Sequence, residues 1–103
     1  MGRALMMGVA LCALAGFIGR AMAQDEAQIE QGEALYAEHC SECHGEKLRS
    51  SGAIPDLRLL KPEDRPRFLQ TVNDGRGQMP SWQGQLSDED IDAIWAYIRA
   101  HAR

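Results

Sequence analysis

Cys40-Ser41-Glu42-Cys43-His44 sets two thiols three residues apart and an imidazole directly after the second. On one helical turn, side chains three and four residues apart share a face, so both cysteines and the histidine can address one object. A bare C-x-x-C is shared by thioredoxin-like sites, zinc sites and plain disulfides. A thioredoxin-type site calls for a βαβ setting, which the surrounding pattern lacks. Structural zinc usually takes four ligands, and no second pair at ligand spacing accompanies this one. Iron–sulfur clusters usually take four cysteines, whereas the chain has three, one of them the distant Cys12. With the histidine attached, the run is the signature of covalent haem attachment: both thiols add to the haem vinyl groups and the imidazole turns to the iron.

Upstream, residues 25–39 read as a helix, with Ile29, Leu35 and Tyr36 apolar among acids and alanines and Gly32 the one weak helix former. Further upstream the character changes. Arg3 precedes an apolar run from Ala4 to Ile18, and Ala21-Met22-Ala23 offers small residues at the positions a signal peptidase reads. The run falls short of the roughly 20 residues a membrane span needs. The expectation is a signal peptide over residues 1–23, cleaved after Ala23, a domain over residues 24–103, and a periplasmic product with no stable membrane insertion. The alternative is a retained anchor.

Downstream of His44, residues 45–60 read as an irregular loop with Gly45, Gly52 and Pro55 as punctuation. Pro62 or Pro66 is placed to open a short helix carrying Phe68, Leu69 and Val72, and Gly75 to end it. The clearest element is last. Ser87 is a natural N-cap with Asp90 at the capping-box position, and Ile91, Ile94, Trp95 and Ile98 follow at i, i+3, i+4 and i+7. No stretch alternates for long enough to be a strand. The fold class is all-α.

Beyond Ala23 the chain carries nine bases against fifteen acids, a net charge of -6, with seven acids and no base in residues 24–46. That balance lacks the basic footprint nucleic-acid binding requires. Residues 47–76 reverse the sign, with seven bases against four acids. Solvated surface is one reading of this unevenness; a charge distribution that orients the protein on a redox partner is the other.

Met79 is the one methionine beyond Met22, and it lies in the loop Gly75-Arg76-Gly77-Gln78-Met79-Pro80 rather than on an apolar stripe. By elimination it is the candidate sixth ligand, opposite His44, giving the Met/His coordination that raises a haem potential. His39 adjoins Cys40 and has trouble reaching the opposite haem face; His101 is in the C-terminal tail. Core filler is the plainer role for a lone methionine.

On these residues the chain resembles the class I c-type cytochromes over essentially its whole length past residue 23. The resemblance implies a cytochrome c-like fold with N- and C-terminal helices crossing around one covalently bound haem c. It matches Gly32 and Tyr36 to the family's upstream glycine and aromatic, and makes Trp95 the crossing partner of Gly32. It matches Pro55 to the proline whose carbonyl accepts the histidine Nδ1–H, and Met79-Pro80 to the axial methionine and its proline. Gly52-Ala53-Ile54-Pro55-Asp56-Leu57-Arg58 and Met79-Pro80-Ser81-Trp82 are similar to cytochrome domains that accept electrons from quinoprotein (PQQ-dependent) alcohol dehydrogenases. That closer likeness implies a haem-propionate contact for Arg58 and porphyrin packing for Trp82; a surface arginine and a core tryptophan are the plainer alternatives.

With both axial positions filled, the expected activity is single-electron transfer without catalysis by the chain itself. The expected partners are redox proteins: a quinoprotein dehydrogenase, and a terminal oxidase or another cytochrome. Two rivals stay open at the level of sequence, a five-coordinate haem protein that binds a gas or peroxide, and a thiol–disulfide protein using Cys40 and Cys43.

Overall fold

The computed structural model describes residues 25–103. The apolar leader, the cleavage site after Ala23 and Gln24 lie outside the described residues. Helix α1 covers residues 25–39, α2 Ser41–His44, α3 Arg65–Asp74 and α4 Asp88–Ala100. Short 3₁₀ turns at Glu46–Leu48, Leu57–Leu59 and Pro62–Asp64 join α2 to α3. Among the described residues there is no strand, only isolated bridges at Arg76–Met79 and Gln83–Leu86. The all-α expectation holds.

Local sequence explains where each helix starts and stops. Pro62 opens the 3₁₀ turn and Pro66 lies in the first turn of α3, where a missing N–H costs nothing. The spacing of Phe68 and Val72 buries one face of α3, and Gly75 ends it. At α4 the capping box forms in full: Asp90 N–H donates to Ser87 Oγ and Ser87 N–H donates to Asp90 Oδ2, both at 3.1 Å. Two orphan donors of the helix start are thereby satisfied. Ile91, Ile94, Trp95 and Ile98 are buried as the stripe predicts, and Ala93 and Tyr97 join them.

The core forms where α1 crosses α4. Gly32 is buried in the crossing, and a Cβ built on it would lie 1.9 Å from the Ala93 carbonyl oxygen and 3.0 Å from Tyr97 Cβ. Only a residue without a side chain lets the two backbones meet. The crossing partners are therefore Ala93 and Tyr97, which corrects the expectation of Trp95. Trp95 lies on the next face of α4 and packs on Phe68 of α3, with ring centroids 4.9 Å apart. Tyr36, one turn beyond Gly32, meets Tyr97 with centroids at 5.4 Å.

The C-terminal end of α4 is tied to the loop before α3. Arg99 donates to the Leu60 carbonyl at 2.6 Å, and Arg103 N–H donates to the Arg58 carbonyl at 2.9 Å. Arg65 at the start of α3 pairs with Asp92 of α4 at 2.5 Å. These contacts fix the residue 57–61 segment against the helical core. Among the described residues, no helix is long and apolar enough to cross a membrane.

Candidate haem site

The site is built from Tyr36 outward. Its ring is buried in the core, and its hydroxyl donates to the Gly45 carbonyl at 2.6 Å. That bond ties the residue after His44 back to α1. Between them the helical ladder continues: Cys40 N–H donates to the Tyr36 carbonyl at 2.9 Å, and Cys43 and His44 N–H both reach the Cys40 carbonyl, at 3.3 and 3.0 Å. The motif is thus one helical turn, and the two thiols share a face as the spacing requires.

Cys40 is half-buried and Cys43 exposed, and the two form no disulfide with one another. Burial, reinforced by neighbouring Cys43, pushes the Cys40 thiol up to about 11. Cysteines built for disulfide exchange have their thiols drawn down toward neutrality.

His44 is half-buried, and burial lowers its pKa. The neutral imidazole that results is the form that binds a metal. Its Nδ1 is buried and has no hydrogen-bond partner among the described residues. The bond to the Pro55 carbonyl that the resemblance implies is not made in this structure. Pro55 is exposed in a loop that closes on itself: Ser50 Oγ donates to the Ile54 carbonyl, and Asp56 accepts from Arg58 N–H to cap the following turn. The chain just after His44 is strained as well, with φ of 52° at Lys47 and 66° at Leu48. Non-glycine residues visit that region rarely. Burial of the Leu48 side chain, 1% exposed, holds the backbone there.

Met79 is partly buried against the same core as Cys40 and Trp82. The loop that carries it is closed by two backbone bonds between Arg76 and Met79, both 3.0 Å. Trp82 N–H donates to the Val72 carbonyl of α3 at 2.9 Å, and the Trp82 ring meets the His39 ring edge-on with centroids 5.2 Å apart. His39 immediately precedes Cys40. Half-buried Trp82, three residues past Met79, thus touches the residue that precedes Cys40.

Arg58 is not a loose surface arginine. Its Nε and one Nη donate to the two Asp56 oxygens at 3.0 and 2.9 Å, and the side chains are 17% and 21% exposed. Hydrogen bonds from Arg58 hold the Asp56 carboxyl below the usual carboxylate range. The guanidinium is committed along one edge, and its remaining N–H groups are those left for a propionate. Sequence reading singled out Arg58 and passed over Asp56. An aspartate two residues before an arginine at a turn start is the signal that finds it. The Tyr36 hydroxyl bond and the His39–Trp82 contact had no such signal, since both join residues distant in the chain.

The donor set fits a covalently attached haem: two thiols on one helical turn, a neutral imidazole with a nitrogen unclaimed by the protein, and a thioether on a closed loop. Among the described residues, no group of three or more His, Cys, Asp or Glu could hold a metal unaided.

A family model described as cytochrome c oxidase, cbb3-type, subunit III matches residues 27–98. The quinohemoprotein alcohol dehydrogenase ADH-IIG of Pseudomonas putida is 42% identical over 85 residues, which cover 79% of this chain and 12% of that protein. Cytochrome c550 of Pseudomonas aeruginosa is 33% identical over 85 residues, covering 76% of this chain and 59% of that one. Cytochrome c6 of Bryopsis maxima is 29% identical over 80 residues, 68% of this chain and 88% of that one. The solved structure of ADHIIG from Pseudomonas putida HK5 superposes with a TM-score of 0.71 at 41% identity, over 76% of this chain and 12% of the other. The chain thus spans about an eighth of the length of the quinohemoprotein dehydrogenases it matches.

Proposed function

The chain belongs to the cytochrome c family, and from that premise we propose that it is a periplasmic carrier of single electrons whose haem iron is held by His44 and Met79. Its role is haem-based electron transfer, as a carrier rather than an enzyme, and its cofactor is haem c bound through Cys40 and Cys43. What supports the axial pair is one juxtaposition. A single helical turn holds both thiols and the imidazole, and Trp82, three residues past Met79, packs edge-on against His39, the residue before Cys40.

When bound, the haem supplies reversible one-electron exchange between ferric and ferrous iron. The chain's own residues do the rest. Thioethers from Cys40 and Cys43 keep the group in place in a domain this small. The imidazole of His44 and the sulfur of Met79 would hold the iron, and that pair of ligands would favour a high potential and leave electron exchange as its chemistry. Trp82 would pack against the porphyrin and keep water from it. Arg58, steadied by Asp56, would offer its open N–H groups to a propionate. Residues 1–23 direct export and are cleaved after Ala23, leaving the domain over residues 24–103.

The donor we propose is a PQQ-dependent dehydrogenase, because a quinohemoprotein alcohol dehydrogenase shares 42% of residues over most of the chain. The acceptor is a terminal oxidase or another cytochrome. The test is the spectrum of protein expressed with haem-maturation machinery. Porphyrin that survives acid-acetone extraction, a near-infrared band from sulfur on ferric iron, and resistance of the ferrous form to carbon monoxide are expected. Met79→Ala should abolish the band and admit carbon monoxide. A wild type that binds carbon monoxide readily would establish the five-coordinate rival instead.

A further inference from the structure

The last carbonyls of an α-helix have no partner within the helix. At the end of α3 they are taken by the segment that carries Met79. The Thr71 carbonyl accepts Gly75 N–H at 2.8 Å, and the Val72 carbonyl accepts Trp82 N–H at 2.9 Å. The Asn73 carbonyl accepts the Ser81 hydroxyl. Residues 76–80 are therefore a loop whose two ends are both fastened to one helix terminus. Gly75 is the point where they touch. It has φ of +76°, and a Cβ there would stand 2.7 Å from the Met79 carbonyl oxygen, 2.8 Å from Ser81 N and 2.9 Å from the Pro80 carbonyl carbon. All three are backbone atoms, so no side-chain adjustment relieves the clash.

We propose that Gly75 and Ser81 are positioning residues for the Met79 sulfur: they clamp its loop to the C-terminus of α3, and the clamp governs how readily the thioether leaves the iron. Neither residue touches the metal. Each acts on the equilibrium between a closed loop, which presents sulfur, and an open one, which does not. An external ligand binds only to the open fraction, so its apparent affinity rises in proportion to that fraction. The inference rests on ligation by Met79, and its test separates the two.

The measurement is a titration of the ferric holoprotein with imidazole, following loss of the sulfur band. Ser81→Ala removes one loop-to-helix bond and should tighten imidazole binding about threefold to fivefold. Ser81→Thr, which keeps the hydroxyl, should restore the wild-type affinity. Gly75→Ala forces the loop off its seat and should tighten binding at least about tenfold. Ser87→Ala weakens the cap of α4, away from the loop, and should leave imidazole affinity unchanged while lowering global stability. If Ser81→Ala and Ser87→Ala bind imidazole alike, the clamp has no part in ligation and the proposal fails. A Gly75→Ala protein with wild-type affinity overturns it equally. Wild type without the sulfur band refutes ligation by Met79 itself, and this inference falls with it.

Discussion

Tyr36 and Asp56 carry the site's pH response in opposite directions. Burial pushes Tyr36 up to about 12, with Cys40 and Tyr97 adding to it, from about 10 in an unfolded chain. A phenol whose pKa is raised on folding stabilises the protein fully below the unfolded value. That contribution is lost as pH rises from about 10 toward about 12. Denaturation midpoints of the wild type should fall steeply across that window. Tyr36→Phe should start about 1 kcal/mol lower at neutral pH, having lost the bond to the Gly45 carbonyl, and should then decline less. Parallel decline would place the alkaline transition on another group. Asp56 behaves in reverse: its lowered pKa contributes stability above about 4 that disappears as pH falls further. Asp56→Asn keeps an acceptor for Arg58 N–H but loses the charge, so the acid limb should flatten while the turn at Leu57–Leu59 persists. At this scale the sequence was legible where chemistry is local. Cys40 and Cys43 declare themselves by spacing, whereas the ligand roles of His44 and Met79 are proposals that spacing and loop position motivate. Pro55 is less legible, because backbone geometry around Ile54 and Asp56, and no residue identity, decides where its carbonyl points.

Between elements, the decisive event is the approach of α1 to α4, and it hangs on Gly32. Gly32→Ala must move the Ala93 carbonyl or separate the helices, and should cost about 3 kcal/mol or more, read as a loss of denaturation midpoint in the holoprotein. Ser87→Ala, by contrast, leaves the crossing alone and should cost about 1 kcal/mol through the lost cap. If the two variants lost the same stability, the crossing would not be the tight contact its geometry describes. The boundaries of α3 and α4 were readable because proline, glycine and a capping serine act within one turn. The crossing partner was not. A stripe at i, i+3, i+4 and i+7 says which side of α4 is buried, yet that side is wide enough for two neighbours. Trp95 turned to Phe68, and the small Ala93 met Gly32. Volume at a contact is settled by both surfaces, and one helix read alone shows only its own.

Across the whole molecule, the acidic end of the charge segregation seen in the sequence survives folding. Among the described residues, ion pairs engage Arg58, Arg65 and Arg67 with Asp56, Asp92 and Asp64. Asp56 and Asp64 belong to the middle segment itself, so only Asp92 brings it an acid from outside. Helix α1 keeps Asp25, Glu26, Glu30 and Glu33 exposed, so the acidic face remains the strongest single-sign feature. Such a face draws a positively charged partner surface over a distance set by the Debye length, about 10 Å at 0.1 M salt. Reduction by a PQQ-dependent dehydrogenase, followed by stopped flow, should therefore slow by about tenfold or more as salt rises from millimolar to several tenths molar. Glu30→Gln with Glu33→Gln should lower the low-salt rate and converge with the wild type at high salt, where screening removes the difference. Convergence is the telling result, because a lesion in the haem site would depress the rate at every salt concentration. A rate indifferent to salt in both proteins would mean that α1 faces away from the dehydrogenase, and that docking uses an uncharged surface.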